Sequence, residues 1–210
     1  MSNLNENIKS RRSIRKFTDT PVSDDVINEI ITSACYAPSA CNSQCWKFIV
    51  LKDKEMISKL SDAVTKGFTC FYDGFAPDEN FLSSRINHAT FFRNAPVVIC
   101  VFMTRMSYHD KRVEDIFSSK GYSHHEMLLA MGEPDVLTIG AAIQNILLTI
   151  HNKGLGACWM NDPIIANLEI CKLLNTPNDA RLMSIIPVGY PAYSPRDKQI
   201  KPLSEILTIL

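Results

Sequence analysis

Residues 135–161 read DVLTIGAAIQNILLTIHNKGLGACWMN. One run holds a helix, its stop and a strand. From Asp135 to Lys153 the apolar residues recur with helical spacing, the strongest such pattern in the chain. Gly154-Leu155-Gly156 ends it, because glycine tolerates the left-handed conformation that closes helices. Ala157–Met160 then reads as a strand. The most apolar part, Ile139–Ile150, carries Gln144 and Asn145 and falls short of the ~18 residues a membrane span needs, so it is expected to be a core helix of a soluble protein.

Other elements fit around this unit. Val22–Tyr36 has helical spacing, with Ser23 as N-cap before Asp24 and Asp25, and Pro38 lies beyond its end. Lys47–Leu51 and Pro96–Phe102 read as strands, Lys54–Lys66 and Ile164–Leu174 as helices, and Ser184–Gly189 as a last core strand. Residues 68–92 are aromatic and irregular, with Gly74 and Pro77. Residues 107–134 are polar with short helical hints. Both are expected to be lid or excursion regions of a single domain spanning 1–210. Helices and strands are interspersed without strict βαβ alternation, so the expected class is α+β, layered, rather than doubly wound. The tail from Pro191 is partly apolar at its end (Leu203, Ile206, Leu207, Ile209, Leu210), and these residues need a surface, in the same chain or in a partner.

Composition narrows the function. Lys+Arg and Asp+Glu are both 22. That leaves no global field for coating nucleic acid or an anionic membrane. Met1–Lys9 is polar and lacks the apolar region of a secretory signal, and seven cysteines is an odd count. Reduced thiols and a cytoplasmic location are expected. Cys35, Cys41 and Cys45 are spaced by six and four, which does not match the paired spacing of zinc or iron–sulfur sites. They are expected to be small buried hydrophobes. His124-His125-Glu126 is read as solvated or lid-forming, because adjacent helical residues do not share a face. No metal site is expected.

Four segments could carry chemistry. In Arg11-Arg12-Ser13-Ile14-Arg15-Lys16-Phe17, five of seven residues can donate to an oxyanion, and Arg suits phosphate bidentately. Taken alone, the run reads more readily as a solvated basic face before the first helix than as a phosphate site. Ala37-Pro38-Ser39-Ala40-Cys41-Asn42-Ser43-Gln44-Cys45-Trp46 is a bend of small residues and amides able to approach a planar ring, or else a capping loop. Gly154–Asp162 brings backbone near a ligand, or is a plain helix stop and strand. Pro187-Val188-Gly189-Tyr190-Pro191-Ala192, followed by Arg196 and Lys198, is a strand, a turn and a basic loop.

In this order, and from Arg11 to Ile206, the four segments together resemble the nitroreductase family of FMN enzymes. The resemblance implies a three-layer fold with a central, mostly antiparallel sheet flanked by helices. It also implies a homodimer with FMN at the interface and a C-terminal extension wrapping the partner subunit. Arg11, Arg12 and Ser13 would meet the phosphate and ribityl chain, with Lys198 returning to the phosphate. Arg15 would sit near the pyrimidine edge. Pro38, Ser39, Asn42 and Gln44 would approach the flavin, partly from the other subunit. Asn87 would contact the ring edge, and Trp159, Met160 and Asn161 would line the region near N5. Two positions depart from the family's habit: Cys45 stands where Pro is frequent, and Ile200 where Arg is frequent, with Arg196 as a substitute.

The implied activity is NAD(P)H-dependent reduction of nitroaromatics, quinones or similar electron-poor small molecules by a ping-pong mechanism, with NADH or NADPH as donor. The flavin carries the chemistry, and no side chain is named as catalytic. The aromatics Phe68, Phe71, Tyr72 and Phe75, with the 107–134 excursion, either shape the acceptor pocket or pack in the core. The alternatives are an enzyme of the same fold with another acceptor (a dehalogenase, an enone reductase, an enzyme that destroys flavin) and a non-catalytic flavin-binding protein.

Overall fold

A computed structural model describes residues 4–75 and 77–210. In chain order the elements are α1 (Leu4–Ser10), α2 (Asp24–Cys35), β1 (Trp46–Leu51), α3 (Lys54–Tyr72), α4 (Glu79–Thr90), β2 (Val97–Met103), α5 (Lys111–Ser119), α6 (His124–Ala130), α7 (Pro134–Asn152), β3 (Gly156–Ala157), α8 (Asn167–Leu173) and β4 (Arg181–Gly189). The strands form one open sheet in the order β1-β2-β4-β3, with every neighbouring pair antiparallel. The class is α+β, as expected.

Strand β2 shows why the molecule is layered. Its side chains alternate between faces. Val97, Ile99 and Val101 enter one core with α2 and α7, while Val98, Cys100 and Phe102 enter a second core with α3 and α8. Both faces are covered, so β2 is apolar throughout. In the second core, burial pushes the Cys100 thiol up to about 12. On α7, Ile139, Ile143, Ile146 and Ile150 are at most 1% exposed, and burying each contributes on the order of 1.5–3 kcal/mol.

Caps set the boundaries. Ser23 Oγ accepts the Val26 N–H at 3.4 Å to start α2. Asp53 accepts the N–H groups of Glu55 and Met56 to start α3. At the end of α7, Gly154 has φ +72°, its N–H bonds to His151 O, and the Leu155 N–H bonds to Ile150 O at 3.1 Å. This is the Schellman arrangement, and it favours glycine at Gly154.

Several expectations are corrected. Residues 68–72 and 79–90 are helical rather than irregular: α3 runs to Tyr72, and α4 begins at Glu79 behind Asp78, which accepts the Phe81 N–H at 2.7 Å. The density of aromatics hid a helical period, since Val64 and Phe68 are buried one turn apart and Tyr72 follows at the same spacing. Phe68 is core, whereas Phe71 and Phe75 are exposed. The 157–160 strand shortens to β3, with Met160 bridging separately to Ile185. Residues 164–174 divide into a 3-10 turn, Asp162–Ala166, and α8. Helix α1 lacked the length to show a pattern. Cys45 is buried, but Cys41 is only half-buried and Cys35, past the buried face of α2, is exposed.

Candidate functional site

The basic segment owes its position to the strand it lies beside. Ser13 bridges Ala157 in parallel, and the Ile14 N–H donates to Ala157 O at 2.9 Å. Ile14 is buried at 4% exposure. Alternation along extended chain turns Ser13 and Arg15 the other way. Gly156 permits the approach: a Cβ there would lie 2.6 Å from Ile14 Cγ1 and 2.7 Å from its Cβ.

The chain's end closes over this segment. The Thr18 N–H donates to Tyr190 O at 2.9 Å and the Ala192 N–H to Lys16 O at 3.1 Å. The result is a cleft of about 470 Å³ whose walls include Arg11, Arg12, Ser13, Arg15, Tyr193, Arg196, Asp197 and Lys198. Arg12 is mostly committed to the protein: its guanidinium donates to Arg11 O at 2.9 Å and Arg196 O at 3.3 Å, and also to Lys9 O. Asp197 approaches Arg12 at 3.9 Å and is fully exposed. Among the described residues no carboxylate pairs with Arg11, Arg15, Arg196 or Lys198. The positive field reaches neighbouring groups. Burial first, then Arg11 and Arg12, hold the His151 imidazole below its ordinary value. Burial raises the Cys158 thiol, opposed by Arg15, Ser13 and Arg11. Five cations facing one exposed carboxylate can hold a phosphate dianion.

The bend before β1 is built from strained backbone. Cys41, Asn42 and Gln44 have φ of 53°, 49° and 48°, each costing on the order of 1 kcal/mol or more. Ser39 Oγ accepts the Gln44 N–H at 2.8 Å, and the Gln44 side-chain amide donates to Asn42 Oδ1 at 3.3 Å. Pro38, Asn42 and Gln44 are exposed and Ser39 is half-buried. Buried Cys45 packs beneath with Met106, Met127 and Leu128. A small apolar residue suits that place, where the family frequently has Pro.

Of the remaining expected residues, Trp159 is partly exposed and lies beside Gly140 of α7. Asn161 is exposed, and its amide donates to Met183 O at 3.0 Å. Met160 has its side chain in the second core and its backbone bonded to Ile185, so it shows little surface. Asn87 is exposed on α4, which is tied to the 3-10 turn Asp162–Ala166 by Arg85 and His88 approaching Asp162 at 3.3 and 3.9 Å.

The expected set therefore falls into groups. Arg11, Arg12, Ser13, Arg15 and Lys198 come together near the C-terminal end of α7, where Arg11 and Arg12 pack by Leu147, Ile150 and His151. Ser39, Asn42 and Gln44 sit at its other end, where the Ala40 N–H bonds to Thr138 Oγ1. Helical rise from Thr138 to His151 separates the groups by roughly 20 Å. Tyr193, Asp197 and Thr138 were missed. Tyr193 and Asp197 follow the late turn that the sequence did mark, whereas Thr138 makes its contact 98 residues away and has no local signal.

A second cavity, about 410 Å³, lies in the excursion between α5 and α6, with Arg105, Lys111, Glu114, Tyr122 and His124 among its walls. His124 is not solvated: both ring nitrogens are buried without a partner, burial holds its pKa down, and Glu114 stands 3.9 Å away. The solvated reading therefore does not hold for the ring nitrogens of this histidine.

The family model described as "Nitroreductase family" matches residues 8–190. A protein of Methanothermobacter thermautotrophicus, named provisionally as an NADH dehydrogenase/NAD(P)H nitroreductase, is 30% identical over 93% of this chain and 81% of its own length. The iodotyrosine deiodinase of Thermotoga neapolitana is 28% identical over 91% of this chain and 90% of its own. The crystal structure of a BluB-like flavoprotein from Clostridium difficile 630 superposes with a TM-score of 0.86 at 26% identity, covering 100% of both chains. No helix among the described residues is long and apolar enough to cross a membrane.

Proposed function

The chain belongs to the nitroreductase family and is an oxidoreductase of the NAD(P)H- and flavin-dependent kind, and from that premise we propose that it holds FMN by its phosphate in the Arg11–Lys198 cleft and reduces electron-poor small molecules such as nitroaromatics or quinones. The observation that carries this reading is the cleft itself: Arg11, Arg15, Arg196 and Lys198 face it without a carboxylate partner among the described residues. Uncompensated cations around a hydroxyl donor, Ser13, suit a phosphate monoester. Arg196 takes the role that Ile200, 79% exposed, cannot.

When bound, FMN supplies the two-electron chemistry, accepting hydride from NADH or NADPH and passing reducing equivalents to the acceptor. The chain's residues bind and orient. Arg11 and Ser13 anchor the phosphate end. Arg12 shapes the cleft by holding the 195–198 loop against the end of α1. Arg15 brings positive charge toward the ring's pyrimidine edge. Trp159 and Asn161 would border the ring's N5 region, exposed Asn87 would contact the ring edge, and the 107–134 excursion would border the acceptor. No side chain need act as nucleophile or base. Donor and acceptor would use one face of the bound flavin in turn, which is ping-pong behaviour.

The site is completed by a second copy of the chain. The roughly 20 Å between the Arg11 cluster and the Ser39–Gln44 loop supports a ring contacted by residues of both subunits. The tail supports it too: Leu203, Ile206 and Ile209 are 65%, 66% and 86% exposed, and packing them on a partner would cover them. A cytoplasmic location fits an enzyme fed by NAD(P)H.

The test is anaerobic mixing of the FMN-loaded protein with NADH and with NADPH. The yellow absorbance is expected to bleach within seconds and to return when a nitroaromatic or a quinone is added. Bleaching with recovery only from a halogenated phenol would move the acceptor to the dehalogenase class. Flavin that stays oxidised with both donors would contradict the oxidoreductase reading of this site.

A further inference from the structure

We propose that Thr138 is a positioning residue, whose buried hydroxyl fixes the strained Ser39–Gln44 loop against α7 and so sets the reactivity of the flavin site. The inference rests on the reading of that loop as a flavin contact.

The loop needs an external restraint. Cys41, Asn42 and Gln44 all have positive φ, a region in which Asn is tolerated and Cys and Gln are uncommon. Such backbone persists only where its surroundings over-determine it. The loop's own bonds are local: the Asn42 N–H to Ser39 O at 2.9 Å, the Ser43 N–H to Ala40 O at 3.0 Å, and the Gln44 N–H to Ser39 Oγ at 2.8 Å. They shape the turn without orienting it on the body. Ala40, Cys41 and Cys45 also pack on Met106, Met127 and Leu128, but apolar contact is non-directional and does not fix peptide planes.

Among the described residues, two hydrogen bonds join the loop's backbone to the rest of the chain. One is from the Thr104 N–H to Cys45 O at 2.9 Å, where β1 begins. The other is from the Ala40 N–H to Thr138 Oγ1 at 3.1 Å. Thr138 is 3% exposed and donates its own proton to Pro134 O at 2.8 Å. That bond turns the hydroxyl's lone pairs toward Ala40. Two other polar atoms of this region, Ser43 Oγ and Asp135 Oδ1, are buried without partners, so neither duplicates the clamp.

The test compares Thr138→Val, which keeps the shape and removes the hydroxyl, with Thr138→Ala and with Thr138→Ser, which restores it. Three readouts are taken: amide hydrogen exchange of the peptide covering residues 39–45 in protein without FMN, FMN affinity by fluorescence titration, and the rate of flavin reduction by NAD(P)H in stopped flow. The Val and Ala variants are expected to exchange faster over 39–45, to hold FMN within a few-fold of wild type, and to reduce it about tenfold more slowly, as a small misplacement at a site does. Ser is expected to recover both exchange and rate. A lowered melting temperature with an unchanged reduction rate would overturn the proposal, as would unfolding of both the Val and Ala variants, because each would make Thr138 merely structural. Exchange equal to wild type would defeat the clamp alone. Wild-type protein that takes no FMN would defeat the flavin reading and with it the link to reactivity.

Discussion

Replacing Gly156 by Ala is expected to lower the melting temperature by roughly 5 °C and to release FMN, because overpacking of this kind costs about 1–3 kcal/mol. The added Cβ would meet Ile14 Cγ1, Cβ and Cγ2 at 2.6, 2.7 and 2.8 Å. Ile14 Cβ sits next to its backbone and cannot swing aside. The extended segment must therefore move off β3, straining the bond from the Ile14 N–H to Ala157 O. Ser13 and Arg15 flank Ile14, so a packing fault in the core displaces cleft residues. Thermal denaturation and FMN titration of the same variant check the two effects together. A variant with wild-type melting and wild-type affinity would show that the Ile14–Gly156 contact does not position the cleft.

Arg11→Ala and Arg15→Ala are expected to divide binding from reactivity. Among the described residues Arg11 has no carboxylate partner, so its charge is available to a phosphate. Losing one charge-assisted bond costs about 1.5–3 kcal/mol, or roughly 10- to 100-fold in FMN affinity. Arg15 is exposed and lies four residues further along the segment. Its loss is expected to leave most FMN in place and to slow reduction by NAD(P)H about tenfold, as losing a positioned charge does. Equal loss of affinity and rate in both variants would mean that the two arginines share one role.

The sequence carried the strong periodicities. The α7 helix, its Gly154 stop and the apolar β2 strand were legible because burial on one or both faces writes itself into spacing. The basic segment was legible as chemistry but ambiguous as a site. Its meaning came from three later segments in a fixed order, and the structure adds the reason for two of them: Ser13, Ala157 and the 190–198 loop are neighbours in space. Residues 68–92 misled because large aromatics on several faces of α3 and α4 blur the helical period. Phe71 and Phe75 are exposed although their composition suggests core. Thr138 and the closure of Arg12 on Arg196 O were invisible because each depends on a partner about a hundred or more residues away. Strain at Cys41 and Gln44 was equally hidden, since neither residue type signals positive φ.

Comparative titration with FMN and riboflavin tests the central claim most directly, because the two ligands differ only in the phosphate. The account predicts one FMN per chain, bound at least about 100-fold more tightly than riboflavin, as expected for several charge-assisted bonds to one phosphate. It also predicts that Arg11→Ala narrows that preference while barely changing the affinity for riboflavin. Equal affinity for the two ligands in the wild-type protein, or no binding of either, would contradict it.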